Sequence, residues 1–413
     1  MKKSFFRHCL LLSLSVCAVN LYAVSSFSGK AGAKLESMSN PEMDSFSPIL
    51  TVQGFYSAQF DFSNNMTLRS EFSVWTSDII DTGLAENTEA VFRVDELSIT
   101  KHFILGSFAN FFSFFFGTYE PIGSDIFLRR HFGIEEIDSA ITQSWLGLKG
   151  STVLPFFGIG GSYILKADTL PLAGGTFIYV NHRNSDDYEL NLDLRFAGAF
   201  NDFCFDVAGG FGAPLKSSDT NNSENEKFLI VDELYLHTGT EFFIGNKYSG
   251  GLFGELGIQD VKVTRNNGTK FDYSSDNLYL LIEPRFVEKY YKLNMSFFSF
   301  PKETVENLFF VDNGLGLDIN LLNDNLYIKG MNYTFGSHFT TSWSRTSITH
   351  LDYLIKENTE DNDFEYPEFK ISPYVMINTS TSKFQAMLQI ITTDLSDNYK
   401  KALKLDVSYQ KYL

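Results

Sequence analysis

The chain has 413 residues, with 50 acidic against 33 basic side chains (formal charge -17) and a 16% aromatic content to which phenylalanine contributes 42 residues. Nucleic acid is a poor partner for such a chain, because binding to phosphates is driven by clustered Lys and Arg that displace counterions, and no such cluster is present. A soluble domain so rich in Phe would have to bury most of it. The mean hydropathy of only -0.09 fits instead a wall with one apolar and one wet face.

Residues 1–23 are predicted to be a signal peptide. Lys2, Lys3 and Arg7 form a basic start, an apolar run from Leu10 to Val19 is broken only by Ser13, Ser15 and Cys17, and Leu21-Tyr22-Ala23 offers a small residue for cleavage before Val24. Leu14-Ser15-Val16-Cys17 carries the Leu and Cys of a lipidation signal, with Val16 bulky where that processing wants a small residue. Removing this segment takes the charge from -17 to about -20 and leaves Cys204 as the only cysteine, so no internal disulfide framework is available. No later stretch supplies the roughly 20 apolar residues of a spanning helix. Residues 24–413 are expected to form one exported domain.

From Leu50 onward the chain repeats one pattern. Leu50, Val52, Gly54, Tyr56, Ala58, Phe60 and Phe62 alternate with Thr51, Gln53, Ser57, Gln59 and Asp61, with Phe55 the exception on the second face. The alternation returns at Leu190 to Phe196, where Asn191, Asp193 and Arg195 interleave, at Phe203 to Val207, and at Leu403 to Tyr409. Roughly 16 to 19 such segments of about 9 to 12 residues fit the length of tilted bilayer-crossing strands, and the even-number rule selects about 16 or 18. Because hydrocarbon tolerates no unpaired sheet edge, the fold class is all-β: a transmembrane antiparallel up-and-down β-barrel. Phe200 to Phe203 and Leu322 to Asn325 are predicted as tight turns, and long loops are expected near 120–143, 213–228, 301–313 and 337–365.

The region from Asn110 to Thr142 is the least ordinary. Five phenylalanines occupy six positions, 111–116; Phe112, Phe114 and Phe116 fall on one strand face, Phe111 and Phe115 on the other with Ser113. Something must pack on the second pair if it faces a watery lumen. The segment 121–142 supplies Ile122, Ile126, Phe127, Leu128, Phe132, Ile134 and Ile137 among Arg129, Arg130, His131, Glu135, Glu136 and Asp138. Folded inward, it would bury its apolar anchors on Phe111 and Phe115 and present both charge signs to a pore; as a cap on the outer rim, it would pack only on itself. Arg129, Arg130, His131, Glu135 and Glu136 are the candidate constriction residues.

Other motifs lead nowhere catalytic. The chain has seven His but no His-Glu-x-x-His, Gly-x-Ser-x-Gly or Cys-x-x-Cys pattern. Gly158-Ile159-Gly160-Gly161 sits in an alternating strand without the helix a phosphate loop needs, and Asp219 to Ser223 starts like a calcium loop but has Glu224 in place of the turn glycine. Arg93-Val94-Asp95-Glu96-Leu97 is echoed by Ile230-Val231-Asp232-Glu233-Leu234, which is read as a shared loop-to-strand geometry rather than a duplication. No catalytic residue, metal site or cofactor is expected.

The export signal, chain-long alternation, aromatic excess, acidic loops and final strand "KALKLDVSYQKYL" resemble bacterial outer-membrane β-barrel proteins, porin-like channels in particular; the signal and Phe-rich strands resemble those of spirochaetal barrels. The final Tyr412-Leu413 is a less regular assembly signal than a terminal aromatic, and Asn40-Pro41-Glu42 is a weak match to the hatch of fatty-acid transporters. The resemblance implies an outer-membrane location, lipid and the barrel-assembly machinery as partners, oligomers as an open option, and passive or weakly selective diffusion of small hydrophilic solutes. The alternative is a surface-exposed barrel with a plugged lumen whose long loops bind host or environmental ligands.

Overall fold

The computed structural model describes residues 24–413 apart from 40–46, 63–64, 83–89, 143–151, 185–186, 216–232, 247, 265–269, 275–276, 306–307, 309–310, 312, 344–366 and 396–401. Residues 1–23, expected to be a signal peptide and including Cys17, lie outside the described residues, as do Asn40-Pro41 and the calcium-like stretch at 219–223.

The strands are β1 (Val24–Ser39), β2 (Pro48–Phe62), β3 (Met66–Thr76), β4 (Ala90–Leu105), β5 (Phe108–Thr118), β6 (Phe157–Ala167), β7 (Leu172–Asn184), β8 (Asp187–Ala199), β9 (Phe203–Leu215), β10 (Glu233–Asn246), β11 (Gly250–Thr264), β12 (Lys270–Asp272), β13 (Leu278–Val287), β14 (Lys292–Ser299), β15 (Leu315–Ile328), β16 (Met331–Trp343), β17 (Glu368–Asn378), β18 (Ser382–Ile391) and β19 (Leu403–Tyr412). Each pairs antiparallel with its chain neighbour, except that β12 only extends the end of β11, which continues the wall into β13. β1 pairs with β19, from Lys30 opposite Tyr412 to Met38 opposite Lys404, and closes an 18-stranded barrel. Closure removes the edges that a bilayer would not tolerate.

Alternation sorts each strand. In β5 the outward Phe112, Phe114 and Phe116 are 57%, 55% and 42% exposed, while Phe115 on the inner face is fully buried. The same outward apolar belt continues in Ile178, Leu194, Phe196, Leu256, Ile282, Phe297, Phe335 and Phe339. In water, so wide a patch would drive association; in a bilayer it is the surface that makes the fold stable. Exposed Phe200, Phe203, Tyr290, Tyr291 and Tyr327 stand at the short-turn rim, as in an interfacial aromatic girdle.

Short turns join strands at that rim, among them Gly106-Ser107 and the Phe200 to Phe203 turn, where Phe200 N–H donates to Phe203 O at 2.7 Å. The long connections lie at the other rim, the arrangement of outer-membrane barrels, whose short turns are periplasmic. Two expectations need correction. Leu322 to Asn325 is not a turn: it lies inside β15, where the pairing with β16 slips between Asn323 and Leu326, and the chain reverses only at Lys329-Gly330. Polar Asn and Asp residues mark a bulge as readily as a turn. The loop expected from 337 starts later, because β16 continues through Trp343. Arg93 to Leu97 lies inside β4, whereas Ile230 to Asp232 of the echoed stretch lie outside the described residues.

Candidate functional site

Residues 119–142 and 152–156 leave the top of β5 and return to β6 through the interior of the barrel. The two limbs are tied by Ile122 N–H to Leu154 O at 3.0 Å and Val153 N–H to Ile122 O at 2.9 Å. Val153 is seated in a notch made by two directly opposed glycines, Gly239 of β10 and Gly257 of β11; a side chain at Gly257 would come within 2.2 Å of the Val153 methyl. Ile122, Phe127, Leu128, Val153 and Phe156 are fully buried, packed with Phe115, Phe177, Phe253 and Tyr279 of the inner wall.

The helix Ile126–Phe132 forms the deep end of the first limb. Gly133, in the left-handed conformation, caps its C-terminus by donating to Arg129 O at 3.0 Å. The cap turns Phe127, Leu128 and His131 to the wall. Asp125 ties down the opposite end, its carboxylate accepting from Arg129 Nε and, at 2.8 Å, from Ile137 N–H.

The five candidate charges are split by this rotation. Arg130 turns to the wall, donating through Nη2 and Nη1 to Glu96 of β4 at 3.0 and 3.2 Å and lying 3.6 Å from Glu120. His131 is buried, with Nε2 3.2 Å from Glu120 Oε1 and its ring between Phe127 and Phe111, at centroid distances of 4.4 and 4.7 Å. Arg129 is 39% exposed, and Glu135 and Glu136 are exposed. These two glutamates line a cavity of about 780 Å³ with Tyr248, Val287, Glu288, Lys289, Lys292 and Asp324 of the short-turn rim. Across the lumen, Lys30 of β1 and Lys383 of β18 both feel the Glu136 charge. Phe111 stacks on His102 at 4.8 Å, and Phe115 stacks on Tyr119 at 4.8 Å.

Electrostatics of the segment follow from burial. Taking the Glu120 carboxyl out of water would raise it, but His131, Arg130 and Arg195 outweigh that and hold it at about 2. Burial dominates at Asp125, pushing it up to about 6 against the pull of Arg129 and the Ile137 N–H. Asp138 is pushed well up by burial, with Asp125 and Glu241 adding repulsion.

Wall residues that sequence reading did not single out hold the segment. Arg195 of β8 is fully buried; it forms a two-point pair with Asp206 of β9, donates to the Glu120 main-chain oxygen, and lies over the Phe127 ring at 3.9 Å. Glu241 of β10 accepts from the N–H groups of Gly123 and Asp125 at 3.0 and 3.2 Å. Glu283 of β13 accepts from Ser139, and Arg285 donates to Asp138 O at 3.0 Å. The available signal was a charge on the wet face of an alternating strand, which cannot by itself name a partner more than a hundred residues away.

A second connection also turns inward. Phe300 and Val311 are buried, Phe300 lying 4.9 Å from both Tyr279 and Phe298. Along β15 to β17 the lumen-facing Asp318, His338 and Ser372 are buried as well, with His338 Nδ1 2.8 Å from Asp318 Oδ2.

A closed barrel with an apolar belt, an aromatic rim, short turns on one side and long loops on the other has the architecture of an outer-membrane β-barrel. No family model matches the chain, and no curated protein does. Among solved structures it is similar in outline to OccAB3 of Acinetobacter baumannii (6% identity, TM-score 0.48, covering 94% of this chain and 100% of that one). It is also similar to a triple mutant of the Rhodopseudomonas blastica porin (8%, 0.41, 94% and 99%) and to OmpT, an outer membrane protein of Vibrio cholerae, in its trimer form (10%, 0.36, 94% and 98%).

Proposed function

We propose that this barrel is a channel for passive or weakly selective diffusion of small hydrophilic solutes, with the segment 121–142 narrowing its aqueous path. The observation that supports this reading is a cavity of about 780 Å³ lined by both signs of charge, with Glu135 and Glu136 of the segment on one side and Lys289 and Lys292 of the wall on the other. Opposed charges of this kind orient a dipolar solute and tax ions of either sign unequally. On this reading Arg129, Glu135 and Glu136 meet the solute, whereas Arg130 and His131 fasten the segment to Glu96 and Glu120. Phe111 and Phe115 serve as its inner seat.

The test is single-channel conductance of the refolded barrel in a planar bilayer, with reversal potentials under a salt gradient. Stepwise openings whose selectivity shifts on Glu136→Gln support the channel; a folded barrel that conducts nothing overturns it. One observation favours the second reading, a filled barrel whose loops bind a ligand: the depth at which Asp318, His338 and Ser372 are covered inside the lumen. The same silent barrel would be its expected result.

A further inference from the structure

Three acidic residues stand directly opposite one another on adjacent strands of the inner wall. Asp206 of β9 faces Glu241 of β10, and Glu241 faces Glu255 of β11; all three are at most 1% exposed. Like charges placed side by side on a sheet work against folding, so each needs an offset. Asp206 has Arg195, and Glu255 accepts from the Tyr279 hydroxyl at 2.6 Å.

Glu241 has no wall partner of that kind among the described contacts. Its offset comes from the segment: Oε2 sits in the turn 123–125, accepting from Gly123 and Asp125, while Oε1 has no hydrogen-bond partner among the described residues. The turn is shaped for this. Gly123 has φ +87 and Asp125 φ +47, so the N–H groups converge on one point, as in the concave backbone nests that bind anions. It is also wedged between the returning limb and the wall, since a side chain at Gly123 would lie 2.8 Å from Val153 and 3.2 Å from Glu255 Oε1.

We infer that Glu241 is the positioning residue of the channel: its carboxylate, gripped by the 123–125 turn, fixes how far the segment projects into the lumen and so sets the aperture. The inference rests on the channel reading for its consequence, but the gripping can be tested without it. Glu241 itself touches no solute; it acts through the segment that carries Arg129 and Glu136.

The experiment places a reporter cysteine at Ile122, which is fully buried in the seated segment, in a Cys204→Ala background. The refolded barrel, checked for folding by its gel mobility before and after heating, is treated with a small charged methanethiosulfonate reagent. Glu241→Met, which keeps the bulk and removes the acceptor, should accelerate labelling by about tenfold or more, the consequence of losing two buried hydrogen bonds. Glu241→Gln, whose amide oxygen still accepts, should stay close to the parent rate. If the Met variant does not fold, Glu241→Ala carries the same comparison. Unchanged labelling in the acceptor-free variant, or equal acceleration in Glu241→Gln, overturns the assignment. Faster labelling together with a larger single-channel conductance upholds it in full; faster labelling in a barrel that conducts nothing upholds the grip and overturns the channel reading instead.

Discussion

Two arcs of the same inner wall use charge in opposite ways. On β8 to β13, Arg195, Asp206, Glu241 and Glu283 are buried, and their described hydrogen-bond partners are each other, the returning segment and, for Glu283, also Arg285 and Ser296 of the wall. On β18, β19 and β1, Lys383 and Lys30 feel the charge of Glu136, and the charges beside them, Lys34, Glu36, Lys404 and Asp406, pair within the wall. A polar residue pointing into a barrel is therefore not by itself a pore residue. What decides its work is whether something dry is packed over it: under the segment a charge becomes a fastening, and on the proposed channel reading a charge left in water acts as a filter.

The comparison breaks most sharply at Arg195. Replacing it with Met leaves Asp206 buried without its cation and removes the donor to Glu120 O, and breaking one side of such a pair costs about 3–5 kcal/mol. Thermal unfolding of the folded barrel should show a loss of that order, whereas Lys30→Met on the other arc should leave the midpoint nearly unchanged. Equal effects at the two sites would erase the distinction between the arcs. A step down in size is the outer face: Phe114→Arg, near the middle of β5, should cost about 2–4 kcal/mol of folding free energy in lipid. Tolerance of arginine there would mean that Phe114 does not meet hydrocarbon.

Much of this division follows from period two. Phe112, Phe114 and Phe116 separate from Phe111 and Phe115 because successive strand residues point to opposite faces, and the same rule places Arg195 and Asp193 inward. Loop ends were less legible, since Asn323 and Asp324 carry turn chemistry but are absorbed by a bulge in β15. Within the segment, composition announced apolar anchors among charges, but not which charge faces which way. That depends on the rotation of a seven-residue helix stopped by Gly133, and one residue of rotation exchanges Arg129 for Arg130. Nothing local named the partners of Glu241 and Arg195, because Gly123 and Glu120 are brought to them only by closure of the barrel and return of the loop.

The neighbouring arginines sharpen the comparison within a single turn of helix. Arg130→Ala should destabilise the folded barrel most, because Glu96 is left without its two-point donor, whereas Arg129→Ala should cost less, since Asp125 keeps the Ile137 N–H, and should raise cation preference by roughly twofold, the scale of one screened charge near a solute path. Reversal potentials and unfolding midpoints of the two variants separate these effects. A selectivity change confined to Arg130→Ala would interchange the residues' assignments. Glu136→Gln should move selectivity by a similar amount in the opposite direction.

The smallest expected effect is the dependence of segment seating on pH, and its sign differs between two carboxyls. Asp125 is raised from its ordinary 3.8 to about 6 when seated, so it favours seating below pH 3.8, and that contribution is lost as pH rises through 6. Glu120 is lowered from 4.5 to about 2, so its contribution is present above pH 4.5 and is lost as pH falls toward 2. Seating is then tightest near about pH 4, where neither loss is complete. Asp125→Asn removes only the first arm: the stability of the parent relative to this variant should fall between pH 3.8 and 6 and level off above. The variant should still weaken at more acid pH through Glu120. A difference between parent and variant that stays flat across that window would mean that Asp125 keeps its charge in the seated segment, and that Arg129 and the Ile137 N–H compensate its burial in full.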